Sequence, residues 1–201
     1  MLFFRHRVNS AAEIAPLRRE WGVEIDLRSD VHREGEIHLA HDAWRRGEAY
    51  EAWLRAYASG GRRGPVILNT KEDGLEERAL ELALAAGVEP LFLDTALPTL
   101  VNWVRRGEGK RFFVRVSAWE PVEAVAAFRG EVRWAWVDCF GGEPMAAADV
   151  ARLTPDFQIC LVSPELQGCS PDAIGRFGDL WPMASAVCTK VPESWVERFG
   201  G

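Results

Sequence analysis

The chain has 201 residues, enough for one sizeable hydrophobic core, and no shift in composition or Ser/Pro-rich stretch divides it, so it reads as a single domain over residues 1–201. Hydrophobic residues at 48% and charged residues at 27% exclude a disordered or fibrous chain. A net charge of −6, with Lys and Arg scattered among acids, argues against a nucleic-acid surface but leaves room for a local arginine pocket that binds a small anion.

Short β-rich runs alternate with helical patterns from end to end. The first strand is expected at Leu2 to His6 and the first helix at Ala11 to Glu20. The second strand follows at Val23 to Arg28, and Glu36 to Asp42 is an extra extended piece before a helix at Ala49 to Tyr57. Strands three and four, Val66 to Asn69 and Pro90 to Asp94, precede helices at Leu75 to Ala86 and Leu97 to Arg106. Strands five and six, Phe112 to Ser117 and Trp134 to Phe140, precede helices at Pro121 to Phe128 and Ala146 to Leu153. The last two strands, Phe157 to Ser163 and Ala186 to Lys190, precede helices at Pro171 to Asp179 and Pro192 to Phe199. Pro98, Pro121, Pro171 and Pro192 mark helix starts.

Such alternation implies parallel strands joined by crossovers, and eight repeats imply an α/β fold of the compact TIM, or (β/α)8, barrel type. A doubly wound open sheet is the competing class, but no Gly-rich phosphate loop follows the first strand. The apolar run at Met1 to Phe4 is too short for a signal peptide and no stretch reaches the roughly 20 apolar residues of a membrane span, so a cytoplasmic protein is expected. Cys139, Cys160, Cys169 and Cys188 form no CxxC pair and are expected to be reduced and structural. The aromatic residues Trp119, Trp134, Trp136 and Trp181 are expected mainly to fill the core or cover its rim.

Strand two alternates strictly, which turns Glu24, Asp26 and Arg28 to one face with successive Cα atoms about 6.6 Å apart. In a barrel the outer face must be apolar, so Val23, Ile25 and Leu27 meet the helices and the charged set faces inwards, where it needs partners or a cation. Paired carboxylates make a hard oxygen site suited to Mg²⁺ or Ca²⁺. The same parity places Asn69 and Lys71 together on strand three, and Phe113, Arg115 and Ser117 together on strand five. His6 closes strand one and His41 closes the extra extended piece, and two histidines flanking a phosphate can serve as base and acid in one displacement. His32, in the polar loop, and His38, of opposite parity to His41, are not expected to take part.

His6-Arg7-Val8, Glu24-Ile25-Asp26 and Leu39-Ala40-His41-Asp42 stand in the order of a motif set that resembles the glycerophosphodiester phosphodiesterase and phosphatidylinositol phospholipase C superfamily. The likeness of motif covers roughly residues 2 to 72. It implies His6 and His41 as the catalytic acid and base, Arg7 and Lys71 as phosphate contacts, and Glu24 and Asp26 as ligands of a divalent cation. Relatives carry Glu-x-Lys where this chain has Asn69-Thr70-Lys71, so Asn69 would give the metal an amide oxygen without charge. Val8 replaces the family's Gly, Asn9-Ser10-Ala11 replaces its Glu-Asn-Thr, and the insertion that shapes the alcohol pocket is nearly absent.

The expected function is metal-assisted hydrolysis of a small phosphodiester, with Arg115 as a further phosphate contact. Two other readings are open: a barrel that binds a phosphorylated ligand without turnover, and a sugar-phosphate isomerase or aldolase using Lys71 or Lys190 as a Schiff base. The sequence does not settle which histidine is the base, nor the oligomeric state.

Overall fold

A computed structural model describes residues 1–30, 35–59, 61 and 64–200. His32 lies outside the described residues. Among the described residues the strands, in chain order, are β1 (Leu2–Arg5), β2 (Gly22–Ser29), β3 (Ile37–Leu39), β4 (Val66–Thr70), β5 (Pro90–Leu93), β6 (Phe113–Val116), β7 (Trp134–Val137), β8 (Gln158–Val162) and β9 (Ala184–Thr189). The α-helices are α1 (Tyr50–Ser59), α2 (Glu76–Ala85), α3 (Leu97–Arg105), α4 (Ala147–Ala151) and α5 (Pro192–Phe199). All eight expected strands are present within a few residues, and the extra extended piece forms β3.

Three of the expected helices are single 3₁₀ segments instead: Ala11–Glu13, Val122–Phe128 and Pro171–Phe177. Pro16 removes a donor where the first would have continued, so the Ser10 and Glu13 capping box closes only one turn. The second is 3₁₀ over all seven of its residues. The third includes Gly175, which lowers its helix propensity, and a Cβ there would displace the Arg198 guanidinium.

The chain forms two compact units, residues 6–102 and residues 1–5 with 103–201. In the first, β4 lies parallel between β2 and β5, with Asp26 opposite Asn69, and β3 returns antiparallel on the end of β2 with Leu27 opposite Leu39. Val23, Ile25 and Leu27 are fully buried, as are Tyr50, Trp53 and Tyr57 of α1, and Trp53 stacks on Tyr57 at 4.9 Å. Tyr57 Oη donates to the carbonyl of Gly64 at 3.0 Å, so its polar end is satisfied within the core.

In the second unit β1, β9, β8, β7 and β6 pair in that order, all parallel. Trp134 and Trp136 are buried there against Phe113, and Trp181 stacks on Trp195 and Phe199, so three of the four tryptophans pack as expected. Trp119 is exposed. Cys139, Cys160 and Cys188 are buried thiols outside any disulfide, and burial pushes the Cys139 thiol up to about 12, far from a nucleophile's range. No helix among the described residues is long and apolar enough to cross a membrane.

Candidate active site

Strand β2 carries the centre of the site, and its alternating carbonyls fix the segments around it. Val8 N donates to the carbonyl of Glu24 at 2.9 Å and Ala40 N to that of Asp26 at 3.1 Å. Carbonyls two residues apart lie on the same edge of a strand, about 6.6 Å from each other. The chain bearing His6 and Arg7 and the chain bearing His41 therefore follow one another along one edge. On the opposite edge Lys71 N donates to the carbonyl of Leu27 at 3.1 Å, which brings Asn69 and Lys71 alongside.

Glu24 and Asp26 are both fully buried, and every one of their oxygens faces a donor. Glu24 Oε2 accepts from Arg7 N at 2.8 Å, and Oε1 accepts from Asn69 Nδ2 at 3.0 Å. Asp26 Oδ2 accepts from Asn9 Nδ2 at 2.8 Å, with Arg7 Nε at 3.7 Å, and Lys71 Nζ stands 3.0 Å from Oδ1. The angle at that last contact is poor for a hydrogen bond, but at 3.0 Å the attraction of opposite charges dominates. Burial, and secondly the neighbouring Asp26 charge, raise the pKa of Glu24 to about 7, against the pull of Arg7 N–H, Lys71 and Asn69.

His6 Nε2 lies 3.7 Å from Glu24 Oε2, with its side chain mostly shielded. His41 is more open, and its Nδ1 meets Asp42 Oδ1 at 2.7 Å, which holds the Asp42 carboxyl below its usual range. Arg28 fixes the backbone beneath it, with Nη2 donating to the His41 carbonyl at 2.9 Å. Arg7 adopts a left-handed φ of 54°, uncommon for a residue with a side chain, and its N–H meets the Glu24 carboxylate.

The structure thus brings His6, Arg7, Glu24, Asp26, Asn69 and Lys71 together, with the His41 segment on the same edge of β2. His38 is buried and its Nε2 meets the Arg45 carbonyl at 3.0 Å. Arg115 belongs to the other unit, where its Nη1 is paired with Asp138 Oδ2 at 2.8 Å. Asn9 was not singled out from the sequence, yet it grips Asp26 at both side chain and backbone. Its signal was an amide one turn of loop after a strand end, opposite a carboxylate of even parity.

The expected divalent cation does not fit this donor set. A cation needs oxygen lone pairs facing a common point, whereas the carboxylate oxygens here face N–H groups and an ammonium. Asn69 turns its amide nitrogen, not its oxygen, towards Glu24, as bonding to an acceptor requires. Among the described residues no group of three or more His, Cys, Asp or Glu is placed to hold a metal ion.

At the end of β2 and the residues that flank His41 opens a cavity of about 340 Å³ lined by Arg28, His38, Trp44, Arg45, Arg46 and Glu72, among others. Trp44 is 98% exposed and has a φ of 63°, so a bulky side chain is held out in a strained backbone state. Gly47 packs against β3 so closely that a Cβ would overlap the Leu39 carbonyl oxygen.

No family model and no curated protein matches the sequence. Among solved structures, the chain is similar to a presumed glycerophosphodiester phosphodiesterase from Galdieria sulphuraria, at a TM-score of 0.72 and 13% identity over 99% of this chain and 97% of that one. It is similar as well to a phosphodiesterase from Oleispira antarctica solved with its product sn-glycerol-3-phosphate, at a TM-score of 0.69 and 12% identity over 100% and 97%. These likenesses show the fold: the chain is a (β/α)8 barrel of the kind those phosphodiesterases have.

Proposed function

We propose that the chain cleaves small phosphodiesters bearing a hydroxyl next to the phosphate, with His6 and His41 as general acid and base. The observation that carries this reading is the arrangement around β2. Two histidine-bearing segments share one edge of that strand, and the cations Arg7 and Lys71 are anchored on its buried acids.

In the first step the neighbouring hydroxyl gives its proton to one histidine as its oxygen bonds phosphorus. The bond from phosphorus to the leaving alcohol breaks, and the other histidine protonates that alcohol. Water then opens the cyclic phosphate with the two roles exchanged. Arg7 and Lys71 meet the charge on the phosphoryl oxygens, and because both are already held by Asp26 they need little reorganisation to do so. Glu24, close to His6 and raised towards neutrality, can share a proton with it. The cavity next to the His41 segment takes the leaving alcohol. Arg115, held by Asp138, has no part in this proposal.

The test is release of p-nitrophenol from p-nitrophenyl glycerol phosphate, with phosphorus NMR to detect the cyclic intermediate. Turnover lost in His6→Ala and His41→Ala supports the proposal. Binding of glycerol phosphate without turnover supports the second reading, a phosphate-binding barrel, which the neutral Asn69 in place of an acid favours. A borohydride-trapped adduct would support the aldolase reading, which the pairing of Lys71 with Asp26 disfavours.

A further inference from the structure

We propose that the site works without a divalent cation because the Lys71 ammonium permanently holds the place beside the Asp26 carboxylate that such a cation would need. This rests on the reading of the cluster as the phosphodiester site, and it deepens that reading by naming the resident cation.

The argument is an accounting of lone pairs. Buried carboxylate oxygens need partners: three of the four here accept hydrogen bonds from Arg7 N, Asn69 Nδ2 and Asn9 Nδ2, and the fourth, Asp26 Oδ1, is met by the charge of Lys71 Nζ at 3.0 Å. Three of these donors are fixed by backbone register or by reciprocal bonds and cannot turn away cheaply. Asn9 is held by Asp26 N, Arg7 N belongs to the main chain, and Asn69 lies on β4 opposite Asp26. Lys71 is the one donor on a flexible stem, and it brings a full positive charge to Asp26 Oδ1. A metal ion entering here would have to displace that charge and would be repelled by it and by Arg7 Nε, 3.7 Å from the other oxygen. A carboxylate at position 69 would add the missing negative charge, but the residue there is a neutral amide that points its nitrogen inwards. The remaining acceptor, Asn69 Oδ1, is buried and has no hydrogen-bond partner among the described residues, and one neutral oxygen is a poor competitor for a hydrated cation.

The experiment is calorimetric titration of chelator-stripped protein with MgCl₂, CaCl₂ and MnCl₂, which reads binding whether or not any diester is turned over. Wild type and Lys71→Arg should show no saturable binding, whereas Lys71→Met, which keeps the stem and removes the charge, should bind Mn²⁺ with a saturable isotherm. Circular dichroism confirms that each variant is folded, and Lys71→Gln replaces Lys71→Met should the latter not fold. Wild-type binding that Asp26→Asn abolishes would overturn the proposal. Absence of binding in both wild type and Lys71→Met would overturn it too, because Lys71 would then not be what excludes the metal. Loss of diester turnover in every form, with the calorimetry as expected, would sink the phosphodiesterase reading and leave the cation assignment standing.

Discussion

Asn9 and Asp26 hold each other twice: Asn9 Nδ2 donates to Asp26 Oδ2 at 2.8 Å, and Asp26 N donates to Asn9 Oδ1 at 2.9 Å. This reciprocal pair ties the loop after β1 to the middle of β2, so the positions of His6 and Arg7 depend on it. Asn9→Ala leaves a buried carboxylate short of a donor and should lower stability by about 1–3 kcal/mol. Asn9→Asp, which sets two carboxylates face to face, should cost more. Urea unfolding of the three proteins at neutral pH checks the order.

Glu24 gives the protein a specific pH dependence. Its folded pKa of about 7 is above the ordinary 4.5, so the folded state keeps a proton that the unfolded chain releases between those values. The stabilising contribution is therefore complete below about pH 4.5 and is lost as pH rises through 7, to the extent of roughly 3 kcal/mol. Glu24→Gln, which stays neutral throughout, should flatten the dependence of the unfolding midpoint between pH 5 and pH 8. An unchanged slope in that variant would show that another group titrates there.

Gly47 connects the cavity loop to β3. Because a Cβ at this position would overlap the Leu39 carbonyl oxygen, Gly47→Ala must push the loop off the strand, at a cost of a few kcal/mol. Thermal melts should show the loss, and diester turnover should fall with it, since β3 leads directly into His41. Ala substitution at Gly74, where nothing lies within 4 Å but φ is 96°, should cost less, through backbone strain alone.

Trp44 tests where the alcohol binds. Exposed to 98%, it should be replaceable by Ala with a stability change within about 0.5 kcal/mol. As a wall of the cavity it should nonetheless raise KM several-fold for substrates with large alcohols, with kcat little altered. An unchanged KM would place the alcohol elsewhere.

Much of the fold was legible because buried parallel strands are short apolar runs, and Val66–Thr70 or Trp134–Val137 can hardly be anything else. The parity of β2 was equally plain, and it placed Glu24 and Asp26 on one face beside Asn69. Helix type was less so: Pro121 to Phe128 has helical spacing, but spacing does not separate an α-helix from a run of 3₁₀ turns. The proposed loss of the cation was hidden for a reason of the same kind. Sequence shows which residues carry lone pairs, not which N–H groups already occupy them, and the role of Asn9 and the direction of the Asn69 amide exist only in three dimensions.

The central claim is tested most directly by turnover of p-nitrophenyl glycerol phosphate in excess chelator by wild type, His6→Ala, His41→Ala and His38→Ala. Wild type should release p-nitrophenol with no added metal. The His6 and His41 variants should each fall by about 10²- to 10⁴-fold, and His38→Ala, once its fold is verified, should retain most of its kcat, since His38 lines the cavity but moves no proton. Equal rates in wild type and the His6 and His41 variants, or no turnover by wild type with or without metal, would contradict the account.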